Sequence, residues 1–158
     1  MHKIFIILLL TALQNLQAQN FVSNQRPNKG TNRIAAFNQH QAAINASTYK
    51  KLQWRNVGPD NISGRCTDVW GISGNKNIVY AAFATGGLWK TEDAGKTWLP
   101  LFDKQGTQSI GNMAIAPSNN NIIYVGTGEA NIFRASLPGI GMFKSADAGK
   151  TWQHIGLE

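Results

Sequence analysis

TEDAGKTW at residues 91–98 returns as SADAGKTW at residues 145–152, so the chain contains one eight-residue phrase twice. We call these segments the first box and the second box. An Asp side chain accepts hydrogen bonds from backbone N–H groups inside a turn, Gly takes positive φ without steric cost, and a Thr-Trp pair is typical of a strand start. The phrase therefore predicts a tight hairpin turn that repeats along the chain.

The two boxes resemble the Asp box of BNR-type β-propellers, which occurs in sialidases, sortilin-like receptors, xyloglucanase-type hydrolases and many large secreted bacterial proteins. In those families the box lies on the hairpin between the third and fourth strands of a blade, away from the ligand face. The resemblance implies structural roles for these box residues: Thr91, Asp93, Gly95, Thr97, Trp98, Ser145, Asp147, Gly149, Thr151 and Trp152. No metal site is expected, because a lone Asp in a turn supplies far fewer oxygen ligands than Ca²⁺ needs.

A second repeated phrase gives the length of the unit. NIVYA at residues 77–81 matches NIIYV at residues 121–125 at an offset of 44, whereas the boxes lie 54 residues apart. The second unit therefore contains ten additional residues, which we assign to an insertion at residues 128–139. A period in the forties with several short strands is typical of a four-stranded propeller blade.

Short apolar runs between turn residues predict four strands in each unit. The predicted strands are 67–72, 78–84, 88–91 and 97–101, followed by 112–116, 122–127, 141–144 and 151–155. We therefore predict an all-β fold, a β-propeller of four-stranded blades with about two blades present, as an incomplete ring. Residues 54–158 hold these blades.

Two blades cannot close a propeller, which typically has about four to eight. We expect the chain to be the amino-terminal part of a longer protein whose remaining blades complete the ring. Assembly of several copies is the alternative. Each blade needs a neighbour on both faces, because an uncovered face leaves apolar side chains in water.

The amino terminus predicts export. A positive start at residues 1–3 precedes an apolar run at residues 4–13, and Ala18 offers a small residue for cleavage, so residues 1–18 are predicted to be a signal peptide. The expected location is secreted, periplasmic or extracellular. A transmembrane helix is the alternative, but it needs about 20 apolar residues. No membrane span is expected after signal cleavage.

Residues 19–53 form a polar, basic leader. Six basic residues and no acid lie between residues 19 and 56, whereas eight basic and eight acidic residues follow from residue 57. One short helix is predicted over residues 32–49, with Ile34, Phe37 and Ile44 facing the propeller. No nucleic-acid partner is expected, because aromatic residues do not alternate with the basic ones and no nucleic-acid module is recognisable.

Cys66 is the single cysteine, so no disulfide can form within the chain. We expect it to be a small buried hydrophobe at the start of the first blade. No cofactor is expected.

Residues 54–65, WRNVGPDNISGR, resemble the opening common to large secreted Asp-box proteins of sortilin-like or glycosyl-hydrolase-like type. The resemblance keeps an enzyme under consideration, but the catalytic motifs of two such families are missing. A xyloglucanase-type protein has a catalytic Asp before the Gly-Gly turn of its first blade, where this chain has Ala84. A sialidase-type site needs an arginine cluster, to which Arg65 and Arg134 are candidates, but the F-R-I-P phrase is lacking. The catalytic residues therefore stay unknown.

Glu129 is the acid whose position suggests a ligand site. It follows a predicted strand and opens the insertion, where propeller loops tend to line the ligand face. We predict that Glu129, Asn131 and Arg134 contribute to a glycan or peptide site. The alternative is that Glu129 only satisfies backbone groups in a glycine-rich turn.

Two functions follow from these observations. The first is a secreted Asp-box propeller that acts as an extracellular binding or scaffold module for a protein, peptide or glycan. The second is part of a secreted glycoside hydrolase, xyloglucanase-like or sialidase-like, whose catalytic pair lies in further blades. Ala84 favours binding, and the resemblance of residues 54–65 favours the hydrolase.

Overall fold

A computed structural model describes residues 30–52, 64–129, 131 and 136–158. These residues form one helix and eight strands: α1 (Gly30–Ala46), β1 (Cys66–Ile72), β2 (Asn75–Phe83), β3 (Gly87–Thr91), β4 (Leu99–Pro100), β5 (Ile110–Ile115), β6 (Ile123–Thr127), β7 (Met142–Ser145) and β8 (Gln153–Gly156). The strands form two four-stranded antiparallel sheets, ordered β1-β2-β3-β4 and β5-β6-β7-β8. Each sheet is the up-and-down meander of a propeller blade. The prediction of an all-β fold with two blades that do not close a ring is confirmed.

The two ends of each blade carry different connections. In an antiparallel meander, the turns after the first and third strands lie at one end, and the turn after the second strand lies at the other. Both boxes connect the third strand to the fourth, and we call their side the box end. The β2–β3 turn and the described residues of the β6–β7 connection, 128–129, 131 and 136–141, lie at the opposite end, the loop end. Of the predicted ligand residues, Glu129 and Asn131 therefore lie away from the boxes.

The two blades share one register. Equivalent residues are paired in both: Asp68 with Ala82 and Asn112 with Gly126 between the first and second strands, and Tyr80 with Lys90 and Tyr124 with Lys144 between the second and third. Each of these first-blade residues therefore has an equivalent residue in the second blade, which can serve as a control in an experiment.

The hydrophobic core lies between the two blades. Alternate side chains of a strand face the same side of its sheet, so each blade directs one apolar row at the other. The core comprises Tyr80, Ala82, Leu88, Phe102, Ile110, Met113, Ile115, Ile123, Val125, Ile140 and Phe143. Phe102, which is fully buried, makes edge-to-face contacts with Phe143 at 5.2 Å and with Trp152 at 5.1 Å between ring centroids. Each contact of this kind contributes about 0.5–1.5 kcal/mol beyond the burial of area.

Hydrogen bonds also join the blades along this seam. The Asp68 carboxylate on β1 accepts a hydrogen bond from the backbone N–H of Met113 on β5, at 3.0 Å. The Thr67 hydroxyl donates to the Ile110 carbonyl at 2.9 Å. The Trp152 indole N–H donates to the carbonyl of Leu101 at 2.9 Å. These bonds fix the sliding position of one blade against the other, which apolar contacts alone do not.

The fourth strands begin two residues later than predicted, at Leu99 and Gln153. Thr97 explains the difference, because its N–H and hydroxyl both donate to the Asp93 carboxylate, at 2.8 and 2.7 Å. Thr151 makes the same two bonds to Asp147. The Thr-Trp pair therefore belongs to the turn, and the prediction that it starts a strand is wrong.

Helix α1 begins and ends slightly earlier than predicted. The Ser47 hydroxyl accepts a hydrogen bond from the N–H of Tyr49 at 3.1 Å, and this local bond competes with a further helical turn. The first half of the helix lies against the second blade: Ile34 packs on the core, and the Arg33 guanidinium donates to the carbonyl of Pro138 at 3.3 Å. Ile44 is 41% exposed, so the predicted apolar stripe packs only in part. In the described part of the chain, no helix is long and apolar enough to cross a membrane.

Cys66 is exposed, so the prediction of a buried cysteine is wrong. It is the first residue of β1, the inner strand, and its thiol donates to the Asp68 carbonyl at 3.5 Å. The predicted signal peptide, the segment at residues 54–63 and Arg134 lie outside the described residues.

Candidate functional site

Both boxes fold into the same hydrogen-bonded turn. In the first box the Thr91 hydroxyl donates to the Asp93 carboxylate at 2.8 Å and accepts from the N–H of Gly95 at 2.8 Å. Asp93 also accepts the N–H and hydroxyl of Thr97. In the second box Ser145, Asp147, Gly149 and Thr151 repeat these bonds to within about 0.1 Å. Each carboxylate thus has three donors from its own turn.

These donors set the charge state of the box carboxylates. Hydrogen bonds from the Thr97 side chain, the Thr97 N–H and the Thr91 side chain lower the pKa of Asp93 to about 2. The Thr151 side chain and N–H and the Ser145 side chain lower the pKa of Asp147 to about 2 as well. A carboxylate that accepts several hydrogen bonds is stabilised in its charged form. Neither Asp is suited to donate a proton near neutral pH.

The boxes also hold an alanine in the left-handed region. Ala94 and Ala148 both have φ of 60°, in addition to the positive φ predicted for Gly95 and Gly149. This conformation costs a residue with a Cβ about 1–2 kcal/mol. A backbone bond to the first residue of the preceding NIVYA or NIIYV phrase holds it: Ala94 N–H donates to the Asn77 carbonyl at 3.0 Å, and Ala148 N–H donates to the Asn121 carbonyl at 2.9 Å. The two repeated phrases of the sequence therefore meet at this contact.

The loop end brings together Glu129 and Arg65. The Arg65 guanidinium forms an ion pair with the Glu129 carboxylate, which is 2% exposed, whereas the Arg65 side chain is 47% exposed. Arg65 immediately precedes β1 in the first blade, and Glu129 follows β6 in the second. The Arg65 carbonyl accepts the N–H of Ala84 at 2.9 Å, so the end of β2 positions the backbone of the arginine.

Two glycines form a narrow neck at the base of the insertion. The neck consists of residues 128–129 on one side and residues 137–139 on the other, and the N–H of Glu129 donates across it to the Leu137 carbonyl at 3.3 Å. A Cβ on Gly128, which has φ of 89°, would lie 2.6 Å from the backbone nitrogen of Gly139. The two chain segments can approach this closely only because both residues lack a side chain.

No sequence pattern predicts that Arg65 pairs with Glu129. From the sequence, Arg65 is a candidate only for a sialidase-type arginine cluster. The signal lies in the topology, because the start of a blade's inner strand and the end of the next blade's second strand share one end. Asn131 is exposed. Ala84 is 2% exposed, so a methyl group lies where a xyloglucanase-type Asp was considered.

The sequence matches no protein-family model and no curated protein. Two solved structures resemble the fold in part. An ancestral GH74 enzyme has a TM-score of 0.46 and 21% identity over 61% of this chain. A GH74 enzyme from Niastella koreensis has a TM-score of 0.40 and 23% identity over 53% of this chain. This chain spans 13% of the length of each of them.

Proposed function

We propose that this chain belongs to a secreted Asp-box β-propeller that binds a protein, peptide or glycan outside the cell, with its ligand at the loop end of the seam. The predicted signal peptide supports export. The boxes support the Asp-box assignment, because each is a closed turn whose carboxylate is held by three donors of the turn itself. The remaining blades of the full-length chain would complete the ring around the ligand face.

The ion pair between Arg65 and Glu129 carries the proposal. A carboxylate that is almost fully buried is tolerated only with a charged partner or several hydrogen bonds. Here the partner comes from the neighbouring blade, so the charge pair spans the seam at the base of the insertion. The Arg65 side chain stays partly exposed beside the base of the insertion, and its guanidinium suits a ligand with oxygen acceptors.

Binding is favoured over glycoside hydrolysis by the same geometry. Most glycosidases use two carboxyl groups about 5–9.5 Å apart, one of which must be able to release a proton. The Glu129 carboxylate is instead held by a guanidinium, and the residue at the end of β2 is Ala84. A hydrolase would have to take both of its carboxyl groups from elsewhere.

The test is a glycan array and a peptide array on the full natural chain, followed by assays of sugar release from every glycan retained. Glu129→Gln removes the buried charge, and Asp103→Asn makes the same acid-to-amide change at an exposed position of the turn after β4. We expect Glu129→Gln to weaken binding about tenfold or more, since the charge that is paired with Arg65 is removed, and Asp103→Asn to leave it unchanged.

Unchanged binding in folded Glu129→Gln would end the candidacy of Glu129. Sugar release by the natural protein would replace binding with hydrolysis as its function. A melting curve of each variant separates a lost ligand contact from a weakened seam. A weakened seam lowers the melting temperature of the variant, whereas a lost ligand contact leaves it unchanged.

A further inference from the structure

A groove lies between the blades at the box end, at the opposite end of the strands from Glu129. It has a volume of about 360 Å³, and both blades line it. The first blade contributes the turn at residues 72–75 together with Tyr80 and Lys90, and the second contributes Asn120 and Asn121. Sites for small molecules have volumes of about 300–1,000 Å³ and combine an apolar surface with a few polar groups. The groove has the size of a site for one small ligand.

One cation lies in the wall of this groove. The Lys90 side chain is 11% exposed, and its ammonium lies 5.4 Å from the centroid of the Tyr80 ring. Burial lowers the pKa of Lys90, but the hydrogen bond to Glu92 and the interactions with Tyr80 outweigh burial, so the pKa lies above its ordinary value. The ammonium therefore keeps its positive charge at any physiological pH.

The counter-ion of Lys90 is easily replaced. Glu92 lies 2.6 Å from the ammonium, but its side chain is 60% exposed at the rim. An ion pair with one partner in water adds little stability, because the exposed carboxylate is solvated equally well when it leaves. A carboxylate that enters the groove can take the place of Glu92 beside a cation that is already largely desolvated.

Three amide side chains from both blades also line the groove. The Asn75 side-chain oxygen accepts the N–H of Asn77 at 3.1 Å, which turns its amide donors to other partners. Asn120 and Asn121 add two exposed amides from the second blade. A neutral amide both donates and accepts hydrogen bonds, and so does a hydroxyl group. Amide side chains can therefore bind the hydroxyl groups of a ligand.

We propose that this groove binds an acidic sugar, whose carboxylate pairs with Lys90 and whose hydroxyl groups contact the amides of Asn75, Asn120 and Asn121. The ring of such a sugar would lie on the apolar part of the floor, formed by Ile72 and Ile78. The site lies at the other end of the blades from the proposed ligand face and is independent of it.

The second blade supplies a matched control. Lys144 lies 5.6 Å from the Tyr124 ring centroid and has the same register as Lys90. Lys90 lies on the face of the first blade that is turned toward the second blade. Lys144 lies on the equivalent face of the second blade, which is turned away from the first blade and from the groove. Ala146 stands at the position of Glu92, so this lysine lacks the equivalent counter-ion.

The experiment is calorimetric titration of the full natural chain with D-glucuronate, with D-glucose and acetate as comparison probes. We expect saturable binding of glucuronate. Glucose lacks the carboxylate and acetate lacks the hydroxyls, so each should bind about tenfold more weakly or worse. Lys90→Gln should weaken glucuronate binding about tenfold or more. Lys144→Gln should leave it unchanged.

Glu92→Gln keeps the test decisive if Lys90→Gln folds poorly. It removes the competing counter-ion, so affinity for glucuronate should rise, by up to about fivefold. A misfolded protein cannot produce this gain. The proposal is overturned by glucuronate binding that does not saturate, by equal affinity for glucose, by equal effects of Lys90→Gln and Lys144→Gln, or by weaker binding in Glu92→Gln.

Discussion

Asp68→Ala should loosen the seam between the blades. The Asp68 carboxylate accepts three hydrogen bonds, from the N–H of Val69 at 2.8 Å, the indole of Trp70 at 3.3 Å and the N–H of Met113 at 3.0 Å. Met113 is 2% exposed, so its N–H would lose a partner that water cannot readily replace. A buried donor without a partner costs about 1–3 kcal/mol. We expect a loss of about 2 kcal/mol in the stability of the seam.

Amide hydrogen exchange measures this loss at the residue concerned. A loss of about 2 kcal/mol corresponds to exchange about thirtyfold faster at Met113, if exchange requires the seam to open. Asn112→Ala is the control, since Asn112 has the register of Asp68 in the second blade but is exposed. It should change stability by less than about 0.5 kcal/mol. Unchanged exchange at Met113 in folded Asp68→Ala would refute the assignment of this bond to the seam.

Three further outcomes are expected. Phe102→Ala, which empties the centre of the aromatic cluster, should destabilise the protein by about 3–5 kcal/mol in chemical denaturation, and a loss below about 1 kcal/mol would contradict the packing described. The pKa of about 2 at Asp93 and Asp147 lies below the ordinary value of an Asp side chain. The stability that these carboxylates contribute is therefore complete above about pH 4 and declines as the pH falls toward 2. The melting temperature of Asp93→Asn should depend less on pH in this window than that of the natural protein. Ala94→Gly relieves the left-handed alanine and should change stability by between about 0 and +1 kcal/mol, whereas Ala94→Val should destabilise in the same denaturation assay.

The sequence predicts the fold well because its signals are local. The boxes mark the turns, the repeated NIVYA and NIIYV phrases mark the second strands, and their unequal spacing locates the insertion. Strand starts are harder to place. Thr97 is of a residue type that is typical of strands, but its hydroxyl donates to the Asp93 carboxylate. This bond depends on the geometry of the turn, in which Ala94 also takes positive φ.

The site is less predictable than the fold, because its contacts cross between blades. Glu129 is recognisable from its position after a strand, but its partner Arg65 lies 64 residues earlier in the chain. The exposure of Cys66 likewise depends on which face of the first blade is covered. Lys90 is one of several lysines in the sequence, and only the register with Tyr80 and the turn of the next blade place it in a groove.

The shortest strand has a consequence for solubility. β4 contains only Leu99 and Pro100, paired with Lys90 and Trp89, and both of its residues are exposed at the outer edge of the first blade. An outer strand with open N–H and C=O groups can recruit a strand of another molecule, which is a route to aggregation. Proline has no N–H, and a two-residue strand offers almost no template. The box turn can thus hold the outer strand in place although that strand is short. A longer outer strand would expose more unpaired backbone groups and would promote aggregation.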